Sequence, residues 1–222
     1  VVWNIACHHD EYVEKIVSLC VPFKMMENDN MLSSIDRQLY PEDEFPYGQW
    51  EYQIFYRENF DKAKQSLEDN PRNTVKCLFR GGNAESLGKL ANTAFVRKNN
   101  GWFKNGIAPD IALDENVLSR NELEIYSKYL SENGFFGPGS WYMNTQLNSA
   151  YFKKAPLKKL EKAILFIHAK YDRVCDTCHT SLADPMRETC SNLKEATIYS
   201  DHWIAQEKPD ELNNTIKEWL AI

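Results

Sequence analysis

No apolar run in this 222-residue chain approaches the length needed to cross a membrane; the longest, around Ala163–Ile167, has the length of a buried strand. Basic residues do not cluster. Lysine and arginine are scattered and the net charge is −6, which argues against nucleic acid as the main partner. There is no internal repeat and no low-complexity tract. With 43% hydrophobic and 13% aromatic residues, the chain has the material for a packed core rather than a disordered segment. No G-x-S-x-G occurs, so the sequence encodes no serine nucleophile elbow. The C-x-x-C at Cys175–Cys178 has no second copy that could complete a four-cysteine zinc site.

The six cysteines (Cys7, Cys20, Cys77, Cys175, Cys178 and Cys190) do not look like a disulfide scaffold in a chain of this length. Cys7 and Cys20 sit among apolar residues and read as reduced core side chains, which fits a cytosolic compartment.

Patterning predicts an α/β protein. Val1–Ala6 has helical spacing and runs into the polar HHDE. The runs IVSLCV (Ile16–Val21) and AILFIH (Ala163–His168) are short and apolar on both faces, as in strands of a parallel sheet. A weaker strand is expected at EATIYS, Glu195–Ser200. Pro209–Ile222 places Leu212, Ile216, Trp219 and Leu220 on one helical face, with proline near its start. Between the first two strands lies a long excursion rich in Trp and Tyr, with helical stretches at Trp50–Leu67 and Arg120–Asn133. The expected division is therefore residues 1–23 as core, 24–160 as a mostly helical cap, and 161–222 as core again. Three strands cannot cover a hydrophobic sheet, so the chain is expected to be part of a larger protein.

Four segments, WEYQIFYRENF (Trp50–Phe60), GFFGPGSWYMN (Gly134–Asn144), FIHAKYDRVCDT (Phe166–Thr177) and DHWIAQEKP (Asp201–Pro209), follow one another in a specific order. In that order they resemble the α/β-hydrolase-fold epoxide hydrolases, especially the fungal-type members, over essentially the whole chain. The resemblance implies a partial α/β-hydrolase core, comprising the last parallel strands and helices, with an inserted helical cap. It implies a cofactor-independent enzyme acting on a small apolar epoxide. In that family an aspartate on an elbow forms an alkyl ester with the epoxide, a histidine oriented by a second acid activates water, and two cap tyrosines stabilise the epoxide oxygen. Such labour is chemically sound, because strained carbon yields to a carboxylate only if charge developing on oxygen is stabilised. Carried over by motif, Tyr52 and Tyr142 would be the cap tyrosines, Asp172 the orienting acid and His202 the base.

Two departures from the family are visible. Asp201 stands where the family has glycine before the histidine, and a carboxylate there would favour a protonated imidazole. The elbow, which the resemblance would place just before Val1 as Gly-x-Asp-x-Gly, does not occur within the chain, so the chain alone is expected to be inactive. A haloalkane dehalogenase, a carboxylester hydrolase or a non-catalytic relative of the same fold would share much of this pattern.

Each residue also has a plainer reading. Tyr52 and Tyr142 lie in aromatic-rich segments where packing is the usual role. Asp172 alone is a favoured turn residue, and His202 alone a core or surface histidine. His8-His9-Asp10 reads as a solvated helix end and His168 as a satisfied structural histidine. Cys175-Asp176-Thr177-Cys178-His179 has haem-attachment spacing. Its cysteines and His179 are expected to be bystanders, with Asp176 a fallback for the acid.

Overall fold

The computed structural model describes residues 1–25 and 28–221, the side chains of 28–30 excepted. In chain order the elements are α1 (Val2–His8), β1 (Lys15–Leu19), α2 (Asn28–Ser33), α3 (Glu51–Glu58), α4 (Phe60–Glu68), α5 (Pro71–Leu78), α6 (Arg120–Asn133), α7 (Phe136–Ser140), α8 (Thr145–Lys153), β2 (Ala163–Ala169), α9 (Asp184–Thr189), β3 (Leu193–Ile198), α10 (Ile204–Glu207) and α11 (Pro209–Leu220). They form two compact units, residues 1–35 with 145–222, and residues 36–144.

The first unit is built on a parallel sheet of order β1-β2-β3, in register from Lys15↔Ala163 to Leu19↔Ile167 and from Ile164↔Leu193 to Ala169↔Ile198. β2 is central and buried from Ile164 to Ala169, so the continuous apolar run AILFI has neighbours on both faces. Ile16, Ile164, Phe166, Leu160 and Met186 cluster with Ala6 and Cys7 of α1 and with Phe23. α8 belongs to this unit rather than to a cap reaching residue 160. Phe152 packs edge-on against Phe23 at 5.7 Å, and Tyr151 stacks on His8 at 3.9 Å. From α11, Leu212 and Trp219 are buried, whereas Leu220 of the expected face is half exposed.

The second unit is helical, without strands among its described residues. The expected helix over Trp50–Leu67 is two helices, broken where Asn59 adopts φ −145° between α3 and α4. Arg97 fastens α3 by bonding both Glu51 and Glu58. α6 starts on a reciprocal cap, Ser119 accepting from the Glu122 N–H while Glu122 accepts from the Ser119 N–H. It ends at Gly134, whose φ of 69° suits glycine.

Strand limits differ from those expected. β1 stops at Leu19, because Cys20 turns into the left-handed region at φ 58°. β3 begins two residues earlier than Glu195 and stops before Tyr199.

Because Phe166 is fully buried in the central strand, Phe166→Ala should destabilise the first unit by about 3–5 kcal/mol. Tyr12→Ala, at an 82% exposed position of the same unit, should stay within about 0.5 kcal/mol. Denaturant unfolding of the two variants checks both values.

Candidate active site

Each strand of the sheet delivers one side chain to its carboxyl end. Ladder hydrogen bonds continue past the strands and fix these exits. The Cys20 N–H donates to Ile167 O, Lys170 N–H to Ile198 O and Tyr171 N–H to Ser200 O. The residues that leave the sheet there are Cys20 after β1, Asp172 after β2 and His202 after β3. Convergence at the carboxyl ends is where open parallel sheets collect functional groups.

Asp172 is buried, with no side-chain exposure. Its Oδ1 accepts the backbone N–H groups of Val174 (2.9 Å) and Cys175 (2.8 Å), the local turn for which aspartate is favoured. Its Oδ2 accepts Nδ1–H of His202 at 2.7 Å. The imidazole remains 39% exposed, so one end of the pair is dry and the other is open. Trp203 stands edge-on to the ring at 5.5 Å.

The charges of the pair support each other. Burial works against the imidazolium, but the Asp172 carboxylate outweighs it, and His202 titrates well above the usual histidine range. Burial likewise opposes the carboxylate form of Asp172. The charge and hydrogen bond of His202, with the two backbone N–H groups, hold its pKa below the ordinary value.

Asp201 fits in place of glycine because its backbone stays out of the left-handed region. Its Oδ1 accepts the N–H of His202 at 2.8 Å, and its own N–H donates to Glu207 Oε2 at 2.9 Å. The Asp201 carboxyl is itself displaced from the ordinary carboxylate range. Burial raises it to about 6, only partly offset by the His202 N–H, and the nearby Asp172 charge pushes the same way.

Two thiols lie against His202: Cys20, which the sequence presents as a reduced core side chain, and Cys175, expected to be a bystander. The Cys20 thiol donates to the His202 carbonyl at 3.5 Å, and both Cys20 and Cys175 engage the imidazole. Burial raises the pKa of both, Cys175 to about 12. The backbone that aims Cys20 is held from Val21, whose carbonyl accepts Trp3 Nε1–H (3.0 Å) and the Ser18 hydroxyl (3.3 Å). Left-handed φ at a residue other than glycine costs about 1–2 kcal/mol, and no sequence pattern announces it here.

Asp176 is engaged within its own turn and with His179 rather than with His202. Its Oδ1 accepts the N–H groups of Cys178 and His179 and pairs with the His179 ring at 2.9 Å. His168 is the satisfied structural histidine expected, bonded to Thr177 Oγ1 at 2.7 Å and Glu195 Oε1 at 2.9 Å, and burial keeps its pKa low.

In the helical unit Tyr52 and Tyr142 come together, from α3 and from the turn Trp141–Asn144, with ring centroids 5.2 Å apart edge to face. Tyr52 is buried, and its hydroxyl accepts Gln53 Nε2–H at 3.1 Å. Tyr142 stacks on Tyr56 at 5.1 Å, and Tyr56 accepts Trp102 Nε1–H at 3.2 Å. Gly139 permits this packing, since a Cβ there would lie 3.1 Å from both Tyr56 and Phe60.

No family model matches the chain. It is 27% identical over 223 residues to bifunctional epoxide hydrolase 2 of Mus musculus and 28% over 220 residues to that of Sus scrofa. These alignments cover 99% of this chain and 37% and 36% of those proteins, so the chain spans little more than a third of their length. Epoxide hydrolase srdG of Neurospora crassa is 22% identical over 98% of this chain and 61% of its own length. Among solved structures, epoxide hydrolase A of Mycobacterium thermoresistibile superposes with TM-score 0.71 at 21% identity, covering 99% of this chain and 65% of that one. An epoxide hydrolase from an endophytic Streptomyces gives 0.70 at 19% identity, covering 99% and 64%.

A carboxyl whose folded pKa lies above its unfolded value of about 3.9 costs stability once pH rises past that value, and the full cost is reached above the folded pKa. Asp201→Asn removes the charge and keeps an acceptor for the His202 N–H. It should therefore raise the Tm at pH 8 by about 2–4 °C and leave it unchanged near pH 3. Thermal unfolding across pH checks this, and a variant less stable than the parent at pH 8 would contradict it. By its relatives and its fold, the chain is homologous to the epoxide hydrolases and forms part of an α/β-hydrolase core of the kind they share.

Proposed function

We propose that the chain is the acid–base and cap portion of an epoxide hydrolase that converts small apolar epoxides to diols without a cofactor. The observation that carries the proposal is the 2.7 Å bond from His202 to a fully buried Asp172, which leaves the imidazole accessible. In the proposed reaction a nucleophilic aspartate attacks an epoxide carbon, its oxygen forming an ester bond as the ring C–O bond breaks. The hydroxyls of Tyr52 and Tyr142 donate to the departing oxygen. His202, held by Asp172 in the tautomer with Nδ1 protonated, takes a proton from water through Nε2. The resulting hydroxide attacks the ester carbonyl, and as the acyl C–O bond breaks the departing alkoxide takes the proton held by His202. The proton of the carboxylic acid so formed replaces the one that the tyrosines gave to the ring oxygen, which leaves the diol, the neutral base and the carboxylate.

The chain contains no Gly-x-Asp-x-Gly elbow to carry that nucleophile. The 222 residues alone are accordingly proposed to be inactive, and tests of turnover call for the protein with its nucleophile. A base must be neutral to accept a proton, so raising His202 above its ordinary pKa moves the onset of ester hydrolysis upward.

In that full-length protein, the rate of ester hydrolysis should climb with pH through a value above 6.5. Tyr52→Phe combined with Tyr142→Phe should lower diol formation by about 10²–10³-fold, the usual size of losing charge-stabilising donors. Undiminished turnover in the double variant would remove both tyrosines from the mechanism.

A further inference from the structure

One ligand-capable atom from each of Cys20, Asp172 and His202 lies within 4.8 Å of the others, one residue per strand end. We infer that this cluster is a binding site for a soft or borderline divalent cation, of the zinc or cadmium class, drawn on the same His202 and Asp172 that the proposed reaction uses, so that the ion and the reaction exclude one another. A thiol, an imidazole and a single carboxylate form a donor set suited to Zn²⁺ or Cd²⁺ and poorly suited to Mg²⁺ or Ca²⁺, which require several oxygens. Three protein ligands plus a fourth position open to water is a common zinc arrangement.

The surroundings favour binding beyond the mere residue types. Oδ1 of Asp172 is occupied by the N–H groups of Val174 and Cys175, so the carboxylate is held with Oδ2 turned toward the cluster. Such outer contacts orient metal ligands in established sites. Cys20 is fixed by its left-handed backbone, with its thiol at the His202 carbonyl. The half-exposed edge of His202 provides the entry path.

Ligand atoms in a tetrahedral zinc site lie about 3.3–3.7 Å apart, so Asp172 Oδ2 and His202 Nδ1, now 2.7 Å apart, would open by roughly 1 Å, and the Cys20 sulfur would close on them by no more than about 1.5 Å. The cation would take the place of the Cys20 thiol proton and of the Nδ1 proton of the His202 imidazolium, whose Nε2 keeps its own proton, and the two displaced protons leave to solvent. The bond between His202 and Asp172 would give way to two bonds to the ion.

The test is Cd²⁺ titrated into the reduced full-length protein, followed by thiolate-to-cadmium absorption in the ultraviolet and by proton release. Expected are saturation at one equivalent, loss of the band in Cys20→Ser, and affinity at least about tenfold lower in His202→Gln. Cys20→Asn serves as the second variant, since asparagine tolerates the left-handed conformation and lacks the thiol. Cys178→Ser, which alters a more accessible thiol, should keep the band. A band that survives both Cys20 variants, or none in a parent protein shown to be folded by near-ultraviolet circular dichroism, would overturn the site. Epoxide turnover does not enter the readout, so the test stands whether or not the proposed reaction is correct.

Discussion

Asp172 is a carboxylate shut off from solvent, and its neighbourhood is arranged to keep it charged. An isolated ion buried in a protein interior would neutralise itself, so the charge persists only with hydrogen bonds and a counterion. Two backbone N–H groups answer one oxygen and His202 answers the other. The same contacts fix the imidazole ring, raise its pKa and define which nitrogen carries the proton. A merely structural pair would more naturally be buried at both ends; here the histidine end is open.

The sheet makes that pairing possible. Because β1, β2 and β3 run parallel in fixed register, their exits lie side by side, and residues far apart in sequence meet without a long loop to order. The pair also ties stability to pH with opposite signs. A raised His202 contributes stability that is complete below about pH 6.5 and is lost as pH climbs through its folded pKa. A depressed Asp172 contributes stability that is complete above about pH 4 and is lost as pH falls through its folded pKa. The interaction is therefore at full strength from about pH 4 to 6.5 and persists on either side until one of the folded values is crossed. Asp201 acts against it above about pH 4, since its buried carboxyl costs stability progressively as it ionises, and in full above about pH 6.

Much of this was legible in the residues. Apolar runs of strand length marked β1 and β2, and the motif order pointed to Asp172, His202, Tyr52 and Tyr142, whose pairings appear at 2.7 Å and 5.2 Å. Three things were not legible, each for a physical reason. A cysteine within IVSLCV reads as core because burial and apolar neighbours are all that pattern encodes; the φ of 58° that aims its sulfur comes from tertiary contacts of Val21. Cys175 looked like half of a coincidental haem motif, and only the Asp172 turn brings it against the imidazole. The limits of the helical unit were not legible because α8 is as aromatic as the segment before it, while Phe152 and Tyr151 pack against Phe23 and His8.

The central claim is that Asp172 holds His202 as a partly accessible, charge-stabilised imidazole. A nuclear magnetic resonance titration of the His202 ring in the parent and in Asp172→Asn tests it most directly. The account predicts a parent pKa above 6.5, falling by about one unit or more when the carboxylate is removed. A parent value at or below 6.5, or one that does not respond to loss of the carboxylate, would contradict it.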